Sequence, residues 1–206
     1  MSFTPPAHDC QLCPRLVEFR QDNVAKFPDK HNAPVDPFGP LSASLLIVGL
    51  APGLKGANFS GRPFTGDYAG DLLYATLKKA GLAKGDYAKH KGDGLELIDC
   101  RITNAVRCVP PENKPTTEEA NTCRPFLIDE INAMPNLHTI LSLGLISHNA
   151  VLKTFGIKQS AFKFAHGAKH QITDKLTLLD SYHCSRYNTQ TGRLTEEMFE
   201  DIFKML

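Results

Sequence analysis

Six cysteines are present, and two of them have the spacing of metal ligands. Cys10 and Cys13 form a C-x2-C pair directly before Pro14, the spacing at which two thiolates meet one metal. Cys108 and Cys123 flank the proline-rich stretch Val109-Pro110-Pro111-Glu112-Asn113-Lys114-Pro115. Four thiolates in two groups suit a tetrahedral zinc ion or a [4Fe–4S] cluster. The wide second spacing is unlike a zinc ribbon or a ferredoxin run. It leaves Cys108 and Cys123 open between ligands and free buried thiols. Cys100 lies within an apolar run and reads as core, and the chemistry of Cys184 is undetermined.

A second concentration of chemistry is the loop Gly49 to Asp67. Its five glycines let the backbone approach a ligand, and Lys55 and Arg62 offer anion contacts. No G-K-[ST] follows, so it is not a Walker loop. It carries an aromatic expected to be exposed, Phe64, and a carboxylate, Asp67. Asn104 closes another apolar run with an amide that both donates and accepts. His183 follows a further one, ahead of a polar stretch with the bulky Arg186 and Tyr187. Lys55, Arg62, Arg107, Lys114, Arg186 and Arg193 all lie in these stretches and form a candidate basic patch. Lys84–Lys91 and Lys163–His170 read as solvated surface.

The elements that must position these groups alternate. Apolar runs at Leu45–Leu50, Leu97–Val106, His138–Gly144 and Leu176–Tyr182 read as buried parallel strands. Helical patterns cover Asp71–Ala80, Thr117–Met134, Leu145–Phe155 and Thr195–Leu206, the second opening on cap candidates and acidic first-turn residues. Residues 23–44 read as a long irregular connection. The expected fold is α/β, a short four-stranded parallel sheet with helices on both faces, forming one domain over residues 1–206. Its working site belongs beyond the carboxyl ends of the strands, where the unusual residues gather.

Three motifs, GLAPGLKGANFSGRPFTGD (49–67), AVRCVPPENKPT (105–116) and SYHCSRYNTQTGRLT (181–195), occur in the order found in the uracil-DNA glycosylase superfamily. The chain most closely resembles its family 5, the iron–sulfur-containing b-type enzymes, along nearly its whole length. The resemblance implies a three-layer α/β/α sandwich. It also implies a [4Fe–4S] cluster on Cys10, Cys13, Cys108 and Cys123, with residues 1–44 supplying a cluster-binding helix and an irregular connection. The implied activity is base flipping and hydrolysis of the N-glycosidic bond of uracil in DNA. No Schiff-base lysine is indicated, so the expected enzyme is monofunctional and leaves an abasic site.

By the same resemblance, Asp67 and Asn113 place water and stabilise the sugar cation, and His183 stabilises the departing base. Ala51, Gly53, Phe64 and Asn104 line the base pocket, and Lys55, Arg62, Ser185, Arg186, Tyr187, Asn188 and Gln190 meet DNA. Leu50 and Ala51 are apolar where other branches carry an acidic residue or Asn. That absence is typical of family 5, and it leaves room for hypoxanthine or xanthine. Cys184 stands where relatives often have Pro.

The net charge of +1 speaks against a non-specific nucleic-acid coat but not against a local phosphate-binding patch. A composition of 42% hydrophobic and 22% charged residues is that of a soluble globular protein. No apolar run is long enough for a membrane span, and the first residues lack a signal-peptide pattern. The expected state is a cytoplasmic monomer, associated with the nucleoid when on DNA. Two other readings are a catalytically silent binder of damaged DNA or iron–sulfur sensor, and a zinc-bound nucleotide-binding module without hydrolysis.

Overall fold

The computed structural model describes residues 3–206. Its elements, in chain order, are α1 (Pro14–Lys26), β1 (Leu45–Gly49), α2 (Ala57–Ser60), α3 (Tyr68–Lys79), β2 (Ala83–Lys84), β3 (Glu96–Leu97), β4 (Cys100–Asn104), α4 (Thr117–Asn132), β5 (Thr139–Leu143), α5 (Leu145–Thr154), β6 (Lys169–Thr173), β7 (Leu176–Ser181), α6 (Arg186–Gln190) and α7 (Glu196–Phe203). The main sheet has strand order β4-β1-β5-β7-β6. β1 pairs in parallel with both β4 and β5, and β5 pairs in parallel with β7. The four apolar runs therefore contain the four parallel strands, although Leu97 pairs in β3 instead, and every residue of β1, β4 and β5 is buried. Such runs need cover on both faces, which an alternating helix supplies.

The sheet has a fifth strand that the sequence reading left out. β6 lies antiparallel on β7, with an irregularity in register between Gln171 and Thr173. It falls partly in the stretch expected to be plain solvated surface. The reason is its pattern: inward His170 and Ile172 alternate with exposed Lys169, Gln171 and Thr173, with no apolar run. β2 and β3 likewise form a small antiparallel pair apart from the main sheet. α1 extends to Lys26, so the irregular connection begins after it.

Helices close both faces. Leu72, Leu73 and Leu77 of α3 join Phe199 and Ile202 of α7 against Ile47, Ile102, Leu141 and Leu179. On the other face Leu127 of α4 with Val151 and Leu152 of α5 cover Leu46, Val48, Ile140 and Leu178. A third small cluster, Leu16, Val106 and Cys123, packs α1 onto the segment after β4. Local caps fix where helices begin. Thr116 and Glu119 form a reciprocal capping box at α4, and Thr195 accepts from Met198 N at α7.

Asp180 on β7 accepts from Ser142 Oγ at 2.7 Å, meets His148 Nδ1 at 2.8 Å, and has His170 Nε2 at 3.2 Å. His148, His170 and Asp180 have the spacing of metal ligands. Hydrogen bonds already satisfy the carboxylate from three sides, so we read the trio as a buried polar clamp between α5, β6 and β7.

Candidate active site

Parallel pairing sets the carboxyl ends of β4, β1, β5 and β7 in one row, so the loops after β1, β4 and β7 open at the same end of the sheet. They form a cleft lined by Leu50, Ala51, Pro52, Gly53, Lys55, Ala57, Phe64, Asp67, Tyr68, Ala69, Asn104, Asn113, His183, Ser185 and Arg186. Ten of the residues expected to serve the site thus share one concavity.

The floor is the most constrained part. Phe64 sits at φ +51°, a conformation rare for a non-glycine residue. Its ring stacks on the His183 imidazole, centroids 5.9 Å apart and planes 29° apart. Asn104, at the end of β4, is in register with Gly49. A Cβ at position 49 would overlap both Asn104 Oδ1 and the Phe64 ring, so Gly49 lets the amide and the aromatic approach the strand end together.

Asp67 is held between two jobs. Its Oδ1 accepts from Gly70 N at 3.1 Å and caps α3. Its Oδ2 faces the other way, toward Gly53 and Gly56, and a Cβ on Gly56 would collide with it. Burial pushes the His183 pKa below the ordinary imidazole value, against an opposing pull from Asp67. The histidine is therefore neutral at neutral pH, a one-proton donor rather than a cation. Asn188 Nδ2 donates to the His183 carbonyl at 2.8 Å and ties the loop to α6. Cys184 is fully buried beside it, with its thiol on the Ala69 carbonyl. Burial raises its pKa, which makes it an inert packing group.

The rim carries exposed groups. Asn113, at φ +58°, ends the 3-10 turn Pro111–Asn113. Lys55 is exposed on the loop after β1. Ser185 caps α6, Arg186 lies over the Tyr68 ring at 5.5 Å, and Tyr187 is 72% exposed beside them.

Behind this cleft, Cys10, Cys13, Cys108 and Cys123 line one small pocket with Leu16, Val106, Phe126, Arg20 and Arg107. Burial, and then the proximity of the other cysteines, pushes Cys13 up to about 11 and Cys108 up to about 12. Thiols so placed ionise together only when a cation joins them.

The family model described as the uracil DNA glycosylase superfamily matches residues 37–206. The chain belongs to this superfamily. It is 44% identical to the type-5 uracil-DNA glycosylase of Thermus thermophilus, over 98% of this chain and 94% of that one. It is 42% identical to the type-5 uracil-DNA glycosylase of Mycobacterium leprae, over 95% of this chain and 89% of that one. The type-4 uracil-DNA glycosylase of Saccharolobus solfataricus is more distant, at 28% over 96% of this chain and 82% of that one.

Within this superfamily fold, several expected site residues lie elsewhere than the sequence placed them. Arg62, expected on DNA, is 3% exposed. It forms a bidentate pair with Asp93 at 2.7 Å for both bonds, and the rings of Phe38, Tyr74 and Tyr87 surround it. Arg107 is also buried, on Glu130, and leaves the basic patch with Arg62. Phe64, expected to be exposed, is 7% exposed and faces the cleft only in part. Asn188 spends its amide on the His183 carbonyl, and Gln190 is exposed on α6 outside the cleft. Tyr68 was missed. Its only sequence signal is an aromatic directly after Asp67, in the first turn of α3.

His31, His166 and His183 all have pKa values lowered mainly by burial. The unfolded chain then binds protons on these groups that the folded chain does not. Their neutral burial stabilises the fold above the unfolded value near 6.5 and is progressively lost below it. Thermal melts at about pH 7.5 and about pH 5.5 should show the lower midpoint at the acidic end. Equal midpoints would contradict this.

Proposed function

We propose that this protein is a uracil-DNA glycosylase acting as a single domain on uracil flipped out of DNA. The observation that carries the reading is the shared cleft in which Asp67, Asn104, Phe64 and His183 converge at the ends of three strands. The flipped base lies against the Phe64–His183 wall, and the Asn104 amide meets its Watson–Crick edge with one donor and one acceptor. As the N-glycosidic bond breaks, its electron pair goes to the base. The neutral His183 donates a hydrogen bond to the oxygen where that charge develops. Asp67, with Asn113 at the rim, orients a water toward the anomeric carbon and stabilises its positive charge. Attack by that water yields an abasic sugar and free uracil. Among the described residues Lys55 is the one lysine that lines the cleft, and it is exposed, which supports a monofunctional reaction. Tyr187 and Arg186 fill the gap left in the duplex, and Lys55 and Ser185 meet phosphates.

The cysteine pocket supports a [4Fe–4S] cluster on Cys10, Cys13, Cys108 and Cys123. When bound it supplies four metal–thiolate bonds that clamp the N-terminal segment to the loop carrying Asn113. No helix among the described residues is long and apolar enough to cross a membrane. We place the protein in the cytoplasm, as a monomer on deaminated DNA.

The test uses labelled duplexes with one uracil opposite G or A, and a second set with hypoxanthine or xanthine, followed by alkali. Alkali-dependent cleavage of the uracil duplex is expected, with the apolar Leu50 and Ala51 admitting the purines. Tight binding without abasic sites would favour a silent damage binder. Intact hypoxanthine and xanthine duplexes would restrict the pocket to uracil. Gly49→Ala should cost about 1–3 kcal/mol of stability by overpacking. By displacing Asn104 and Phe64 it should also slow uracil release about tenfold, the equivalent of about 1.4 kcal/mol in the barrier. Wild-type rates in Gly49→Ala would separate those two side chains from the reaction.

A further inference from the structure

Most of the buried polar atoms without a partner cluster in one place. Among the described residues they are Arg20 Nη1, Asn23 Nδ2, Asp71 Oδ1, Arg107 Nε and Arg107 Nη1. Three belong to the two arginines that line the cysteine pocket, and Asn23 sits one turn beyond Arg20 on α1. Native structures rarely leave such donors unmet, and an unmet buried guanidinium is more costly than an unmet amide.

The charges there do not cancel either. Arg20 is 8% exposed, and its Nη2 donates only to the uncharged Cys10 carbonyl at 2.8 Å. Arg107 gives Nη2 to Glu130 at 2.5 Å, but that carboxylate also takes Arg101 Nε at 2.6 Å and Thr103 Oγ1 at 2.8 Å. Two guanidiniums thus share one carboxylate and Arg20 has none, leaving two of the three positive charges uncompensated. The neighbouring Glu119 is spent on Arg15, at 2.7 Å.

Four thiolates around a [4Fe–4S] core, or around one zinc ion, carry a net double negative charge. We infer that Arg20 and Arg107 are the counter-charges of that four-thiolate centre, their three free N–H-bearing atoms donating toward its sulfurs. The inference rests on the reading of the four cysteines as metal ligands, and it assigns these arginines to retaining the centre and setting its electron affinity, not to DNA. Positive charge and hydrogen bonds at the sulfurs favour the more negative, reduced form of a cluster.

The experiment uses the purified full chain as isolated, with Arg20→Met, Arg20→Lys, Arg107→Lys and, as a control outside the lining of the cysteine pocket, Arg124→Met. Iron, acid-labile sulfide and zinc are measured per chain, then the rate of metal release to a chelator. Where iron is found, the reduced-to-oxidised ratio is also measured at fixed potential. Arg20→Met should release its metal at least tenfold faster. It should also lower the reduced-to-oxidised ratio about tenfold, a shift of about 59 mV for a one-electron couple. Arg20→Lys should recover most of both effects, since it restores the charge, and Arg124→Met should match the wild type. Arg107→Lys retains charge but not the planar fork, and should release metal faster with little change in the ratio. Zinc in place of iron and sulfide would leave only the release rates as the readout. A wild-type chain with neither metal would overturn the cysteine reading itself. A metal-loaded wild type whose Arg20→Met variant releases metal and titrates as the wild type does would overturn this inference alone.

Discussion

His183→Ala is expected to reduce uracil release by about 10²–10³-fold, the loss typical of removing one donor aimed at a developing anion. The fold should survive, because the backbone at position 183 remains held by Asn188. Asp67 needs a more careful substitution. Alanine would remove the carboxylate and also the cap of α3, at about 1 kcal/mol. Asp67→Asn keeps a capping oxygen and removes only the charge, so a fall of about 10²–10⁴-fold in its rate with an unchanged melting midpoint would isolate the chemical role. The two positions are also linked. Asp67 pulls the His183 pKa up while burial pushes it down, so Asp67→Asn should shift any His183-dependent limb of the pH–rate profile to more acidic values. Abasic-site assays across pH on His183→Ala and Asp67→Asn would check both points, and undiminished release in either would remove that residue from the mechanism.

Arg62→Ala should cost about 3–5 kcal/mol of stability, because it strands the buried Asp93 carboxylate. Asp93→Ala should cost a similar amount for the complementary reason. The Arg62 guanidinium holds the Asp93 carboxyl well below the usual carboxylate range, with backbone N–H groups of Ala88 and Leu95 assisting. That stabilisation is present above about pH 3.8 and is lost as pH falls toward the lowered folded value. Replacing both residues should cost less than the two single losses combined. The contrast with Lys55 is diagnostic. Lys55→Ala should leave the melting midpoint alone and reduce the salt slope of DNA binding by about one. Denaturant melts and salt titrations would separate the two, and a stable Arg62→Ala with weakened DNA binding would return Arg62 to the interface.

The sequence revealed most where one physical pattern dominated. β1, β4, β5 and β7 are almost wholly buried, so they stand out as short stretches rich in apolar residues. β6 has only one covered face and lysine at its start, so its alternation blends into a polar surface. The cleft residues were legible because parallel strands bring their following loops together whatever the loop sequences are. The direction of an arginine in such a loop was not legible. Arg62 turns inward into a box of three aromatic rings to meet Asp93, far along the chain, and nothing local to Gly61-Arg62-Pro63 announces that partner. The intramolecular bond of Asn188 was hidden for a similar reason, since a short turn of helix folds its amide back onto the preceding loop. The four cysteines fall between these cases. Their types and the C-x2-C pair suggest a metal, but only the packing of α1 against the segment after β4 brings the two groups into one pocket.

Both margins of the sheet are occupied. Phe38 exchanges backbone hydrogen bonds with Ile102 on the outer side of β4, and at the opposite margin β6 is short, irregular in register and begins with a lysine. An open margin is where a second chain can graft itself on and start an aggregate. With one side plugged by a loop and the other made uneven and charged, strand-by-strand growth between copies has no clean starting point.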